Sequence, residues 1–129
     1  MSDRILVVED DPALLRGLTD NLRAEAFDVL TATDGGAACH LIRCERPDLV
    51  VLDVTLPVLD GFEVCRRMRA DLILKDVPII IVTAMVDPKL NVKGFQAGAT
   101  LAIQKPYDPR KLIATIKTAL ALKANRPTS

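Results

Sequence analysis

The stretch Leu49-Val50-Val51-Leu52-Asp53 decides the fold. Four consecutive apolar residues leave no polar face, which suits a strand covered on both sides. An acid follows directly and must find a partner or solvent at the strand's end. Working outward, similar runs stand upstream at Ile5-Leu6-Val7-Val8 and Val29-Leu30-Thr31-Ala32. Downstream lie Ile79-Ile80-Ile81-Val82 and a shorter, more marginal run, Leu101-Ala102-Ile103. Helix signals separate and follow them. Asp11-Pro12, Asp87-Pro88 and Asp108-Pro109 each offer an N-cap acid followed by proline at the first helical position, and Asp34 and Asp60 suit two further caps. Leu14, Leu15, Leu18 and Leu22 form an apolar stripe on the first helix, as do Leu112, Ile113, Ile116 and Leu120 on the last. The segment Pro88 to Ala97 carries Asn91 and Gly94 and is expected to be the least stable helix. Alternation of strand and helix implies right-handed crossovers. The expected fold class is α/β: a (βα)5 doubly wound five-stranded parallel sheet with strand order 2-1-3-4-5, the flavodoxin-like arrangement.

The 129 residues suit one domain, taken as 1–123, with 124–129 as a flexible tail or the start of a linker. Seventeen basic residues balance seventeen acidic ones, and the four aromatics include no Trp. Direct nucleic-acid binding by this domain is therefore not expected. There is no charged-then-apolar leader and no apolar run near membrane-spanning length, so the expectation is a soluble, cytoplasmic protein without membrane contact. Cys39, Cys44 and Cys65 are odd in number and irregularly spaced, and read as small apolar helix residues rather than a disulfide or metal framework. His40 is the single histidine, expected on a helix near solvent and without a role.

In open α/β sheets, ligands sit beyond the carboxyl ends of the strands where the winding reverses, here between the first and third strands. The first strand ends in Glu9-Asp10 and the third in Asp53. Neighbouring strands are about 4.8 Å apart, so three carboxylates crowd one pocket. Such crowding raises their pKa values or demands a cation, and oxygen ligands of this kind suit Mg²⁺. Thr83 and Lys105 end the fourth and fifth strands and project to the same edge. Acid, metal, hydroxyl and ammonium together form a phosphoryl-transfer set, in which a carboxylate can act as nucleophile. Asp11 reads as a helix cap, and Asp60-Gly61 as a turn and cap.

Over essentially its whole length the sequence resembles the receiver domain of response regulators. The resemblance rests on Ile5-Leu6-Val7-Val8-Glu9-Asp10-Asp11-Pro12 and on the run from Leu52-Asp53-Val54-Thr55-Leu56-Pro57 to Asp60-Gly61. It continues in Val82-Thr83-Ala84, Gly98-Ala99 and Lys105-Pro106. It implies that Asp53 is the phosphoacceptor and Asp10 a direct metal ligand, with Glu9 reaching the metal through water. The Thr55 backbone carbonyl would complete the protein ligands, and Thr83 and Lys105 would contact the phosphoryl oxygens. It also implies a cis Lys105-Pro106 bond. The donor would be a phosphohistidine on a sensor histidine kinase or histidine phosphotransfer protein, in a two-component system or phosphorelay. The output would be a change of shape. On this reading the protein is not an enzyme beyond phosphorylating and dephosphorylating its own aspartate.

Departures from the family pattern carry expectations of their own. Ala102 occupies the position of the usual switch aromatic, so that readout is absent or replaced. Gln96, Thr100 and Leu101 stand where dimerising DNA-binding members place acids, while Lys93 and Arg110 keep the basic side. A charge-paired dimer is not expected, leaving a monomer or weak dimer. Thr55 and Met85 lie two residues after the acceptor and the threonine; neither is acidic or an amide, which points to a slowly hydrolysed phosphate. Competing readings are a metal-dependent phosphohydrolase, an interaction domain that is not phosphorylated, and a flavin or nucleotide binder. The phosphohydrolase lacks a second acid at Thr55, and the nucleotide binder lacks a glycine-rich loop after the first strand.

Overall fold

A computed structural model describes residues 2–56, 58–84, 93 and 95–124. In chain order its elements are β1 (Arg4–Val8), α1 (Pro12–Ala24), β2 (Asp28–Ala32), α2 (Gly35–Glu45), β3 (Leu49–Asp53), α3 (Gly61–Ala70), β4 (Ile79–Thr83), β5 (Leu101–Gln104) and α4 (Pro109–Ala124). Residues 93 and 95–97, between β4 and β5, are also helical. The rest of the weak helix expected from Pro88, its Asp87-Pro88 cap, Met85 and most of the expected tail lie outside the described residues.

The strands form one parallel sheet in the order β2-β1-β3-β4-β5. Its three central strands are β1, β3 and β4. The apolar runs of β1, β3 and β4 are buried throughout, as their lack of a polar face requires. β5 is only four residues long, half-buried and at the edge.

Alternate strand residues feed two cores. On one face Leu6, Val50, Leu52 and Ile81 pack with Ile42 of α2 and Val64 and Met68 of α3. On the other, Ile5, Val7, Val51 and Ile80 pack with Leu18 and Leu22 of α1 and Leu112 and Ile116 of α4.

The expected caps form. Asp11 accepts from Ala13 N at 2.9 Å, Asp34 from Ala37 N at 2.7 Å and Asp60 from Glu63 N at 2.9 Å. Two details of the expected faces need correcting. Leu14 is 41% exposed, while Leu15 is half-buried and packs against the core formed with Leu18 and Leu22. Cys44 is exposed while Cys39 and Cys65 are buried. Five residues on from Cys39, it is rotated about 140° around the helix, onto the solvent face. His40 is exposed on α2, as expected. None of the described helices is long and apolar enough to cross a membrane.

The connection from β3 to α3 runs against other backbone. A Cβ at Gly61 would lie 2.5 Å from Asp53 O, and one at Gly35 would lie 1.9 Å from Leu59 O. Within this connection Val58 holds φ at 70° and is 84% exposed. A left-handed β-branched residue costs about 1–2 kcal/mol, and Val58 has little burial to offset it. Val58→Asn, which tolerates this region, should stabilise the protein by about 0.5–1 kcal/mol. The check is a higher urea midpoint at unchanged slope; a lower midpoint would show that the valine side chain contributes packing that the strain argument misses.

Candidate functional site

The parallel register brings the strand ends to one rim. Val8 pairs with Leu52, so the next residues, Glu9 and Asp53, stand side by side. Asp53 pairs with Val82, which puts Thr83 one step further along β4; Thr83 pairs with Gln104, and Lys105 follows. Glu9, Asp53 and Thr83 each stand just past, or at the end of, a buried apolar run, and Lys105 follows the half-buried β5. Lys105 N donates to Thr83 O at 2.7 Å and Glu9 N to Ala32 O at 3.0 Å, which fixes the backbone there.

Lys105 ties the acids together. Its Nζ donates to Glu9 Oε1 at 2.5 Å and to Asp53 Oδ2 at 3.0 Å. The other Asp53 oxygen, Oδ1, accepts from Thr55 N at 3.0 Å, and Glu9 Oε2 accepts from Asp11 N at 3.3 Å. Glu9, Asp53 and Thr83 are buried, while Asp10 is exposed at the pocket's mouth. Thr55, whose carbonyl is a candidate ligand, is exposed beside Asp53.

One lysine does not neutralise two buried carboxylates, and the titration of the site reflects this. The Glu9 carboxyl is pushed up to about 7, chiefly by burial and further by Asp53, against the opposing pull of Lys105. Burial would lower Lys105, but its bonds to Glu9 and Asp53 outweigh that and raise it above its ordinary value. The two partners of the ion pair thus both shift upward. An isolated pair would lower the acid, so burial and the second carboxylate are the deciding causes.

Glu9, Asp10 and Asp53 each present one oxygen within 4.8 Å of the others, and they form the only such group among the described residues. Neighbouring and opposite oxygens around an octahedral Mg²⁺ lie about 3.0 and 4.2 Å apart at ordinary bond lengths. The carboxylate set is therefore of a size and hardness that fits a small divalent cation, and the excess negative charge calls for one.

The structure gathers Glu9, Asp10, Asp53, Thr55, Thr83 and Lys105 at one rim, and the Lys105-Pro106 bond is cis. Two features were missed in the sequence. Lys105 reaches Glu9 as well as Asp53. Tyr107 is half-buried close enough for its hydroxyl to be raised by burial and by the charge of Glu9; its place two residues after the lysine was the available signal. Asp11 and Asp60 act as caps.

At the departures from the family pattern, Ala102 packs on the α2–α3 side of the sheet. Lys93 Nζ lies 5.0 Å from the centre of the Phe62 ring, and Arg110 bonds Asp108 of its own chain at 3.2 Å. The Arg110 side chain nevertheless stays 91% exposed.

Residues 5–117 match the response regulator receiver domain family. The DNA-binding response regulator MtrA of Mycolicibacterium smegmatis is 42% identical over 127 residues, covering 98% of this chain and 54% of the relative. The alkaline phosphatase synthesis transcriptional regulatory protein PhoP of Bacillus subtilis is 40% identical over 120 residues, covering 93% of this chain and 49% of the relative. The chain thus spans about half the length of these curated relatives.

Among solved structures, a putative response regulator from Chloroflexus aurantiacus superposes with a TM-score of 0.90 at 34% identity, covering 94% of this chain and 99% of that one. A CheY-like receiver domain protein from Methanospirillum hungatei gives 0.90 at 30%, covering 96% and 98%. Strand order, the acid-and-lysine rim and these matches agree: the chain belongs to the response regulator receiver domain family, the signal-receiving module of two-component systems.

Proposed function

We propose that Asp53 accepts a phosphoryl group from a phosphohistidine of a sensor histidine kinase or histidine phosphotransfer protein, and that the resulting change of shape is the output. The observation that carries this reading is the Asp53 carboxylate, buried at the end of β3, with one oxygen held by Lys105 Nζ at 3.0 Å and the other by Thr55 N at 3.0 Å. These bonds orient the nucleophile. In the transfer an Asp53 oxygen forms the new O–P bond, the P–N bond to the donor imidazole breaks, and the imidazole leaves with a proton.

Lys105 stands where it can follow the negative charge from the carboxylate onto the transferred oxygens, and Thr83, on the neighbouring strand end, can donate its hydroxyl to one of them. Glu9, Asp10, Asp53 and the Thr55 carbonyl are the residues that would hold Mg²⁺. When bound, the ion supplies charge neutralisation at the phosphoryl oxygens. The product is the protein's own modified state, so the chain acts in signalling rather than metabolism.

Thr55 and Met85, neither acidic nor an amide, support a slowly hydrolysed phosphate. Gln96, Thr100 and Leu101, none of them acidic, support a monomer or weak dimer. Zero net charge supports leaving any nucleic-acid contact to regions outside residues 1–123. The likeness to response regulators supports a cytoplasmic location. The test is incubation with acetyl phosphate and Mg²⁺, read by intact mass. One added phosphoryl group, dependent on the cation, is expected; an unchanged mass overturns the proposal.

The raised Glu9 carboxyl makes cation binding depend on pH. Below about 7 Glu9 carries a proton that a cation must displace; above it the carboxylate is ready. Mg²⁺ affinity should therefore be about tenfold weaker at pH 6 than at pH 8, by the linkage of one proton to binding. Glu9→Gln should flatten the difference. Titration followed by amide NMR at both pH values checks this, and equal affinities would show that Glu9 does not govern the site.

A further inference from the structure

On the face of the molecule formed by α2 and α3, the last turns of these helices and the chain leaving α3 enclose a cavity of about 340 Å³. Its floor is apolar: Ile42, Met68 and Leu74 line it and are themselves nearly inaccessible, with Cys39 in the wall. Volume and lining are those of a recess that takes one bulky apolar group. The rim is different. Arg43 and Arg67 stand on opposite helices across the opening.

The acids nearby have partners, although Asp71, itself in the lining, keeps its negative charge. The Asp71 carboxylate accepts from Ile73 N at 2.8 Å and Leu74 N at 3.3 Å, and Glu63 takes Arg66 at 3.0 Å with Arg67 at 3.5 Å. Arg43 has no acidic partner among the described residues. An apolar recess flanked by guanidinium groups with capacity for further carboxylates is complementary to an acidic ligand with an apolar anchor.

We propose that this recess docks an acidic segment of a partner protein, which inserts one bulky apolar side chain between α2 and α3 and places carboxylates on Arg43 and Arg67. A protein segment is favoured over a small molecule because the apolar surface does not stop at the recess. Leu72 and Ile73, between the lining residues Asp71 and Leu74, are 83% and 64% exposed. A small ligand would leave them bare, whereas an extended segment covers them. None of the lining residues belongs to the rim that holds Asp53. Docking here is expected in the unphosphorylated chain, in which the recess is already formed.

The test uses the full, unphosphorylated chain and, as probe, an acetylated and amidated octapeptide with one central phenylalanine flanked by aspartates and glutamates. Saturable amide shifts confined to residues 39–43 and 67–74 are expected. Arg43→Glu combined with Arg67→Glu should weaken binding about tenfold or more, while labelling by acetyl phosphate stays unchanged.

The proposal is overturned by an absence of saturable shifts at millimolar peptide, or by shifts that map elsewhere. Equal binding of a peptide with serine for phenylalanine, or with lysines for the acids, also overturns it. Saturable shifts at these same residues from octanoate but not from the peptide would make this a small-molecule site instead. No phosphodonor takes part in the binding measurement, so its failure leaves the phosphoryl-transfer reading untouched.

Discussion

Asp53→Asn should take up no phosphoryl group under conditions that label the unmodified protein, with the loss complete by intact mass. The substitution keeps the shape of the side chain and an oxygen that can still accept from Lys105 Nζ, giving up only the bond from Thr55 N at the exposed side of the site, so the rim should stay assembled. What it removes is the anionic oxygen that forms the bond to phosphorus; an amide is not a nucleophile of that strength. The variant should also fold at least as firmly as the unmodified protein. It deletes one of two buried carboxylates that share a single lysine, and with it one of the causes that raises Glu9. Intact mass and thermal unfolding of the same samples separate chemistry from folding. Labelling of the variant at the unmodified rate would place the acceptor elsewhere. Loss of labelling together with a collapse of stability would show that the substitution acted on the fold.

Lys105→Ala should slow phosphorylation about a hundredfold, the usual consequence of removing one preorganised charge donor, or about 2.7 kcal/mol of transition-state stabilisation. It should also lower stability in a pH-dependent way. Lys105 is the cation that Glu9 and Asp53 share in a pocket where all three side chains are largely buried. Without it, at pH 8 the two acids must either face each other unpaired or take up a proton, at a cost of about 2–3 kcal/mol, below the full penalty for a broken buried pair because the site borders solvent.

The sign of the pH effect follows from Glu9, whose carboxyl in the folded protein sits at about 7, above the ordinary 4.5. The folded state holds the extra proton between those values. The stability that this proton contributes is complete below about 4.5 and is lost as the pH rises through 7. Protonated Glu9 no longer needs the lysine, so the penalty of Lys105→Ala should shrink on going from pH 8 to pH 6. Urea unfolding in EDTA at the two values measures this. Mg²⁺ should restore most of the loss at pH 8 by standing in for the missing charge. An equal penalty at both values would mean that Glu9 does not carry the proton.

Much of the fold was legible because its signals are local. The runs at Ile5, Leu49 and Ile79 have no polar face, so only the middle of a parallel sheet accommodates them, and they lie there. Asp11, Asp34 and Asp60 precede helices and cap them, since a short carboxylate reaches the first free backbone amides wherever it occurs. The rim was legible for a related reason. Once the strand order is known, the polar residue that ends each buried run has only one edge to occupy.

What stayed hidden depends on distances between elements. No local rule shows that Lys105 reaches Glu9 as well as Asp53, or that burial holds the Glu9 carboxyl near 7. Leu14 carries the periodicity of a buried residue and is 41% exposed, because which side chains of a helix meet the core is settled by packing. Val58 gives no sign of its left-handed backbone; the run of the chain between Asp53 and the α3 cap imposes it. The recess between α2 and α3 is lined from both helices and from the chain beyond α3, so no single stretch of sequence shows it.

The amino-acid sequence by itself determined which segments become strands and helices, and which side chains end them, because hydrophobic periodicity and capping act over a few residues. The tertiary structure alone decided how closely those ends approach, which charges share a partner and how far water is excluded, because these depend on helices packed against a sheet from opposite ends of the chain.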